Sequence, residues 1–349
     1  MKQTIIISED IEHDLARAID GCEHDRIFVL TDDNTNKKCW GKIKDFAPMK
    51  DVKLITIPSG DTQKNLKTLS SVWEALSNGG ATRHSLLINL GGGMVTDLGG
   101  FAASTFKRGI NFVNIPTTLL AMVDASVGGK TGINFCGLKN EIGAFADARR
   151  VIINTMFLDT LDSDNICSGY AEMLKHGLIS NEHLWAELVG FDLLQPDLTR
   201  LQHMVADSIG VKERIVEQDP HEHGIRKALN LGHTVGHAFE SFAMQNHHPI
   251  LHGYAVAYGL VAELYMSARK AGFPTDRLHQ TVRFIRDNYG SLNITCDDYP
   301  TLIGLMRHDK KNTAGKINFT LLAGIGDIRI DQTATEEDIK EALDFFREA

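Results

Sequence analysis

Short apolar runs alternate with amphipathic or glycine-opened segments through the first half of the chain. Each run is rich in Val, Ile and Leu and is bounded by polar or turn-forming residues, which is typical of a buried β-strand. The predicted strands are Thr4–Ser8, Arg26–Thr31, Val52–Pro58, Ser85–Leu90, Asn111–Ile115 and Val151–Asn154. Because strands that alternate with helical segments form parallel sheets, the first half predicts a parallel α/β fold.

The hydrophobic pattern changes near Phe157, beyond which apolar residues recur at helical spacing. The predicted helices are Ala171–Ile179, Leu198–Val216, Thr234–Phe242, Ala255–Ala271, Arg277–Asn288 and Glu336–Arg347. A small strand pair is predicted between Lys316–Leu322 and Asp327–Ile330. The sequence therefore predicts an α/β domain over residues 1–156 and a mostly α-helical domain over residues 157–349. Ligands commonly bind in a cleft between two such domains, and we expect the chemistry there.

Composition narrows the class of protein. A chain of 349 residues that is 43% hydrophobic and 23% charged is typical of a folded globular protein with room for two domains. The net charge of -9 argues against a nucleic-acid partner, although lysines can still converge on a small anion. The cysteines are scattered without a C-x-x-C pair, which favours reduced thiols. With no targeting segment or membrane-spanning run, we expect a cytoplasmic protein with no membrane partner.

Two histidines, His233 and His237, lie four residues apart in a segment that otherwise reads as a buried helix. This spacing puts both imidazoles on one helix face, where they suit metal ligation or proton transfer near neutral pH. Buried structural histidines are the alternative explanation. A metal site needs further ligands, for which the candidates are His252 at the start of a predicted helix and Glu172 in an apolar helical pattern.

A glycine-rich segment, Gly91–Gly100, leads directly from a predicted strand into a predicted helix. Glycines let the backbone approach a pyrophosphate, and a helix N-terminus favours an anion. The segment departs from G-x-G-x-x-G, so a simple tight turn is the alternative. A second stretch ends like a Walker A loop but has Asp124 where that motif requires glycine, which excludes a P-loop. Lys130, Lys139 and Asn140 nearby suit phosphate contacts, with a solvated lysine loop as the alternative.

Two further cations are candidates because of their neighbours. Lys175 shares a predicted helix with Glu172, and Arg226 closely precedes the histidine helix. The remaining histidine clusters are predicted to be exposed turns, or to have no partner at ligand spacing. These excluded positions are His221–His223, His247–His248, His176 and His183.

Five motifs occur in an order that resembles the 3-dehydroquinate synthase family of sugar phosphate cyclases. They are Gly91–Gly100, Pro116–Gly132, Gly169–Lys175, Leu229–Glu240 and Leu251–Gly259. The resemblance covers nearly the whole chain, and it implies an N-terminal Rossmann-like parallel-sheet domain that binds NAD. It also implies a mostly α-helical C-terminal domain that binds one divalent metal, zinc or cobalt.

The resemblance also implies roles for single residues. Glu172, His233 and His252 are the expected metal ligands, and three protein ligands are typical of a catalytic site with an open position. The expected NAD contacts are Asp32, Asp61, Lys64, Gly92, Gly93, Asp97, Thr117, Thr118, Lys130, Lys139 and Thr160. The expected substrate contacts are Arg108, Asp124, Lys130, Lys139, Asn140, Lys175, Lys212, Arg226, Asn230, His237 and Lys311. The expected catalytic residues are His237, Lys175, Asp124, Lys130, Arg226 and Asn230, with His237 as the base.

The reaction implied by the resemblance converts 3-deoxy-D-arabino-heptulosonate 7-phosphate into 3-dehydroquinate, in the shikimate pathway. It proceeds by transient oxidation with NAD, phosphate elimination, reduction and aldol closure, and the family implies a homodimer in which Arg108 reaches the partner's site. Three positions depart from the usual family pattern, which has glycine at Leu138, an apolar residue at Glu141 and glutamate at Asp61. We expect these departures to change how far the side chains extend more than the chemistry of the site.

Three alternatives remain at the level of sequence. Another sugar phosphate cyclase would share fold, NAD and metal, but Gly236-His237 and Lys139-Asn140 favour the dehydroquinate synthase family. A metal-dependent polyol or glycerol dehydrogenase of the same superfold would release NADH, but its neutral substrate would not need the cations at Arg226, Lys130 and Lys311. A catalytically silent binding protein would bind NAD without releasing phosphate.

Overall fold

The protein is described here by a computed structural model, which covers residues 3–136, 138–307 and 317–349. The chain forms two compact units. The first comprises Met1–Asp162 and Asp197–Ile209, and the second comprises Ser163–Pro196 and Gly210–Ala349. The predicted boundary after residue 156 falls within a short helical segment, Thr155–Thr160, that belongs to the first unit.

The first unit is built on a parallel sheet of six strands in the order β1-β8-β5-β4-β2-β3. These strands are β1 (Thr4–Ile7), β2 (Ile27–Asp32), β3 (Lys53–Ile57), β4 (Leu86–Gly91), β5 (Asn111–Pro116) and β8 (Arg150–Ile153). In the centre, Ile88 pairs with Val29 on one side and Val113 on the other, and all three are fully buried. Burial on both faces makes β2, β4 and β8 near-continuous apolar runs, whereas the edge strands β1 and β3 are partly exposed and are recognisable by their β-branched residues.

Four α-helices of the first unit occur within residues 3–129. They are α1 (Ile11–Asp20), α2 (Asp33–Lys38), α3 (Leu66–Asn78) and α4 (Gly93–Thr105). The chain leaves β2 toward β3 on one side, whereas it leaves β4 toward β5 on the other. Open α/β sheets usually bind ligands at such a reversal, which here lies beyond the carboxyl ends of β2 and β4.

A hairpin of two antiparallel strands, β6 (Lys130–Phe135) and β7 (Leu138–Phe145), was not predicted from the sequence. Lys130, Lys139 and Asn140 therefore lie in strands and not in the loop considered as the alternative, and all three are exposed. Glycines hid the strand pattern: Gly132 lies opposite Gly143, and a Cβ at Gly143 would lie 2.1 Å from the carbonyl oxygen of Thr131. Only glycine permits such a close backbone approach.

The second unit is mostly helical, as predicted. Its helices are α5 (Ser163–Leu178), α6 (Glu182–Val189), α7 (Leu198–Gln218), which begins in the first unit, α8 (His233–Gln245), α9 (His252–Ala271), α10 (Thr275–Tyr289), α11 (Tyr299–Arg307) and α12 (Glu336–Glu348). The predicted C-terminal strand pair is present as β9 (Asn318–Gly324) and β10 (Asp327–Thr333). Helices α6 and α11 were not predicted. Across the described ranges, no helix is both long and apolar enough to cross a bilayer.

Helices α8 and α9 pack at backbone distance. A Cβ at Gly259 would lie 1.9 Å from the carbonyl oxygen of Gly232, and a Cβ at Gly236 would lie 2.8 Å from that of Ala255. Gly232 also adopts the left-handed conformation, with φ of 79°, immediately before α8. The buried carboxylate of Glu263 accepts hydrogen bonds from the N–H groups of Gly232 (2.6 Å) and Val235 (3.0 Å). These contacts fix the start of α8 against α9.

Candidate functional site

Three helices of the second unit bring Glu172, His233 and His252 together. The Nε2 atoms of His233 and His252 lie 3.3 Å and 3.5 Å from the same carboxylate oxygen, Oε1 of Glu172. Glu172 has no exposed surface, and this oxygen accepts no well-directed hydrogen bond from the described residues. A buried carboxylate oxygen that faces two imidazole nitrogens is a donor set that fits a divalent cation.

A third imidazole, that of His237, lies beside the same group. Ligand atoms of His233, His237 and His252 all lie within 4.8 Å of one another. The rings of His233 and His237 meet edge to face, with centroids 5.3 Å apart. The i, i+4 spacing therefore puts both rings on one face, as predicted. The division between ligand and base is a statement about function, and it stays a prediction.

The second ring nitrogen of each predicted histidine ligand also has a contact. Nδ1 of His233 lies 3.1 Å from the carbonyl oxygen of Leu231. Nδ1 of His252 lies 3.2 Å from Oε2 of Glu240. Glu240 lies in α8 and was not among the predicted site residues. An oxygen at Nδ1 holds the proton on that nitrogen and leaves the Nε2 lone pair available for a cation.

The electrostatics of the site favour a cation. Burial by itself would raise the pKa of the Glu172 carboxyl, but Lys175 and His233 hold that pKa well below its usual range. Lys175 forms a fully buried ion pair with Oε2 of Glu172. Burial disfavours the charged form of His252, yet the carboxylates of Glu172 and Glu240 raise the pKa of His252 to about 10. The negative potential that attracts a proton here also attracts a metal ion.

Several predicted substrate residues of the second unit are buried. Lys175, Lys212 and Arg226 are each at most 5% exposed, which is unusual for cations. The Arg226 guanidinium donates to the carbonyl oxygen of Pro220 at 2.5 Å, and its backbone N–H donates to Asp219 at 3.1 Å. The turn that follows α7 therefore fixes the position of Arg226.

Glu222 departs from the prediction of an exposed turn. It is half-buried, and its Oε1 accepts a hydrogen bond of 2.9 Å from the side-chain amide of Asn230. Its neighbours His221 and His223 are exposed, as predicted. Sequence spacing gave no signal for Glu222, because its contact depends on a left-handed backbone with φ of 62° that turns it toward Asn230.

In the first unit, the structure brings together a second group of predicted residues. The buried ammonium of Lys64 donates to Asp97, and it also donates to Oδ1 of Asn140 at 2.5 Å. The ammonium of Lys139 lies 3.6 Å from Oδ2 of Asp61. Residues from the loop before α3, from α4 and from β7 thus meet in one polar cluster. Asn140 was predicted as a substrate contact, Lys139 as a contact of both substrate and NAD, and the other three as NAD contacts.

Asn134 holds this cluster in place and was not predicted. Its backbone N–H donates to the carbonyl oxygen of Lys64 at 2.7 Å, and its side-chain amide donates to that of Asp61 at 3.1 Å. Its side-chain oxygen accepts the N–H of Asn140 at 2.9 Å. These contacts join the hairpin β6–β7 to the loop before α3, which explains why a residue with no recognisable motif matters to the geometry.

Several predicted NAD residues lie where strands of the parallel sheet end. Asp32 ends β2 and accepts the N–H of Thr35 at 2.8 Å, so that it caps α2. Gly92 precedes α4, which has no side-chain cap at its N-terminus. A Cβ at Gly92 would lie 3.0 Å from the side chain of Thr118. Thr117 follows β5 and is buried. The open N-terminus of α4 can receive an anion.

The remaining predicted residues of the first unit lie at separate positions along the chain. Arg108 and Lys130 are exposed, Asp124 is half-buried in the short π-helix Ala121–Ala125, and the Thr160 hydroxyl donates to the carbonyl oxygen of Phe157 at 2.7 Å. Gly93 begins α4. Lys311 lies outside the described residues.

Comparisons with known proteins agree with these observations. The family model for the 3-dehydroquinate synthase N-terminal domain matches residues 54–168, and the model for the C-terminal domain matches residues 169–312. A 3-dehydroquinate synthase from Parabacteroides distasonis is 52% identical over 348 residues, covering 100% of this chain and 99% of that protein. One from Pyrococcus furiosus is 39% identical and covers 91% and 92%, respectively.

Solved structures confirm the predicted fold class. A 2-epi-5-epi-valiolone synthase from Streptomyces hygroscopicus, with NAD+ and Zn2+ bound, has a TM-score of 0.85 at 25% identity and covers 100% of this chain and 97% of its own. An iron-containing alcohol dehydrogenase from Thermotoga maritima shares the fold alone, with a TM-score of 0.68 at 13% identity and coverage of 100% and 99%. The two family models and the identity to relatives over nearly their whole length show that the chain belongs to the 3-dehydroquinate synthase family.

Proposed function

We propose that the protein converts 3-deoxy-D-arabino-heptulosonate 7-phosphate into 3-dehydroquinate and inorganic phosphate. Membership of the family supports this reaction. The relative that is 52% identical, and of which 99% is covered, is a 3-dehydroquinate synthase. One geometric observation carries the chemistry: a fully buried oxygen of Glu172 faces the Nε2 atoms of His233 and His252 at 3.3 Å and 3.5 Å. This donor set suits a divalent cation, for which we propose zinc, with cobalt as the alternative.

NAD is the second proposed cofactor. The residues proposed to hold it include Gly92 at the open N-terminus of α4 and the cluster around Lys64 and Asp97. When bound, the metal ion would polarise a substrate hydroxyl group and NAD would accept and later return a hydride, so that NAD is not consumed.

The side chains of the second unit have distinct proposed roles. His237 receives the proton of the substrate hydroxyl at an imidazole nitrogen, which its position beside His233 and His252 supports. Lys175 keeps Glu172 ionised through their buried ion pair. Arg226 and Lys212 pair with anionic groups of the substrate, because buried cations suit a ligand with both carboxylate and phosphate. A neutral alcohol would not require them, which disfavours the dehydrogenase alternative.

A single assay tests the proposed reaction. Metal-loaded protein is incubated with the heptulosonate phosphate and a catalytic amount of NAD+, while inorganic phosphate, dehydroquinate and the absorbance of NADH are followed. We expect phosphate and dehydroquinate in equal amounts over many turnovers, with no lasting NADH. Stoichiometric accumulation of NADH would exclude the cyclase reaction, and NAD+ binding without phosphate release would indicate a silent binding protein.

We also propose that the protein acts in the cytoplasm as a homodimer in which Arg108 contributes to the partner's substrate site. All five cysteines are free thiols, which agrees with a reducing compartment. Arg108 is exposed and adopts a left-handed backbone with φ of 70°. A non-glycine residue in that conformation is uncommon and supports a constrained position for the side chain.

A further inference from the structure

We propose that Glu240 is a positioning residue that orients the imidazole of His252 and thereby sets the affinity of the metal site. The inference rests on the proposed function, because it concerns the same metal site. It assigns a role to a carboxylate outside the expected ligand, substrate and NAD sets.

The argument begins with the two nitrogens of His252. Nε2 lies 3.5 Å from Oε1 of Glu172, and Nδ1 lies 3.2 Å from Oε2 of Glu240. When Nδ1–H donates to a carboxylate, the ring plane is fixed and the Nε2 lone pair is directed at the cation. The negative partner also makes Nε2 a stronger donor than a carbonyl partner would.

His252 needs such a partner more than His233 does. His233 is nearly buried, with 11% of its side chain exposed, whereas 29% of the His252 side chain is exposed. His252 is also the first residue of α9, which has no side-chain cap before it. A half-exposed ring at the end of a helix loses rotamer entropy when it is ordered, and a fixed hydrogen bond lowers that cost on metal binding.

The sequence of α8 makes Glu240 available for this role. His233, His237 and Glu240 follow the i, i+4, i+7 spacing of one helix face. That face therefore presents a proposed ligand, a proposed base and an orienting carboxylate in successive turns. The side chain of Glu240 is 14% exposed, so the folding of each variant has to be checked beside its metal affinity.

The experiment compares metal binding by the full-length wild type, Glu240→Ala and Glu240→Gln. Affinities for Zn2+ and Co2+ are measured by competition with a chromophoric chelator, and the visible spectrum of bound Co2+ reports ligand geometry. Glu240→Ala should bind about 10- to 100-fold more weakly, with an altered Co2+ spectrum, because the ring is no longer held. Glu240→Gln should recover much of the affinity, because its amide oxygen still accepts from Nδ1–H.

Two controls separate the possible failures. Glu341→Gln removes a surface carboxylate that is 54% exposed and should leave affinity unchanged. Circular dichroism of the metal-free variants checks that they are folded. Wild-type affinity and spectrum in Glu240→Ala would overturn the inference while leaving the proposed function intact. Equal weakening in Glu240→Gln would also overturn it, because orientation of the ring by the hydrogen bond would then contribute nothing. Absence of stoichiometric metal binding by the wild type, or unchanged binding by His233→Ala, would overturn the proposed metal site itself and this inference with it.

Discussion

The buried carboxylate of Glu172 in the second unit carries an electrostatic cost that a bound cation would offset. Removing a carboxylate from water costs several kcal/mol unless charges and hydrogen bonds replace the lost hydration. For Glu172, Lys175 compensates Oε2, whereas Oε1 faces two imidazoles without a well-directed hydrogen bond. A divalent cation would complete that compensation. The neighbouring imidazoles then need separate roles, since only some of them can face the cation while another exchanges protons with the substrate.

We predict that His233→Ala and His237→Ala fail in different ways. His233→Ala should lose most metal affinity, because it removes one of the two nitrogens that face Glu172. His237→Ala should retain the metal and lose most turnover, with general-base catalysis contributing about 10²- to 10⁴-fold. Metal content of the purified proteins and phosphate release at saturating metal are the measurements. Equal loss of metal in both variants would contradict the proposed division of roles.

At the scale of elements, the site depends on how closely α8 and α9 pack. Gly259→Ala would put a Cβ 1.9 Å from the carbonyl oxygen of Gly232, a backbone atom that cannot move alone. We predict a loss of about 3 kcal/mol or more in the free energy of unfolding, together with weaker metal binding. Urea denaturation of the metal-free protein measures the first effect and chelator competition the second.

The matched control for this prediction is Gly304→Ala in α11, where a Cβ would meet no atom within 4 Å. Alanine there should stabilise the protein by about 0.5–1 kcal/mol through helix propensity. If Gly259→Ala were as well tolerated as Gly304→Ala, close packing of α8 and α9 would not be what positions the two histidines.

Elements also decide how much the sequence reveals. The strands β2, β4 and β8 were predictable because burial on both faces makes them near-continuous apolar runs, and the partly exposed edge strands β1 and β3 were predictable from their β-branched residues. The hairpin β6–β7 was not, because Gly132 and Gly143 favour close backbone contact at the expense of the alternating side chains that signal a strand. Hydrophobic periodicity indicates which side chains are buried, so it does not reveal a strand that is held by close backbone contact in place of side-chain packing.

Some residues of the candidate site could likewise be predicted from the sequence, whereas others could not. The convergence of His233 and His237 follows from helical spacing, and the family motifs add Glu172 and His252. Glu240, Glu222 and Asn134 could not be identified because their partners lie on other elements or depend on a turn. A carboxylate or amide on a helix or strand usually faces solvent, so its residue type alone carries no signal.

At the scale of the whole molecule, the proposed cofactors are assigned to different units. The predicted metal ligands all belong to the second unit, whereas the predicted NAD residues all belong to the first. A ligand that binds only the folded state stabilises it by about 2.7 kcal/mol at a concentration of 100 Kd. The protection should be greatest in the elements that hold the ligand, because their local opening then requires its release.

Hydrogen exchange measured by mass spectrometry on the full chain tests this assignment. Added Zn2+ should slow amide exchange most in α5, α8 and α9, whereas NAD+ should slow it most around Gly92 and in the loop that contains Asp61 and Lys64. His233→Ala should lose the response to Zn2+ and keep the response to NAD+, since it leaves the first unit unchanged. A variant that lost both responses together would show that one cofactor cannot bind without the other, and zinc protection confined to the parallel sheet would refute the proposed metal ligands.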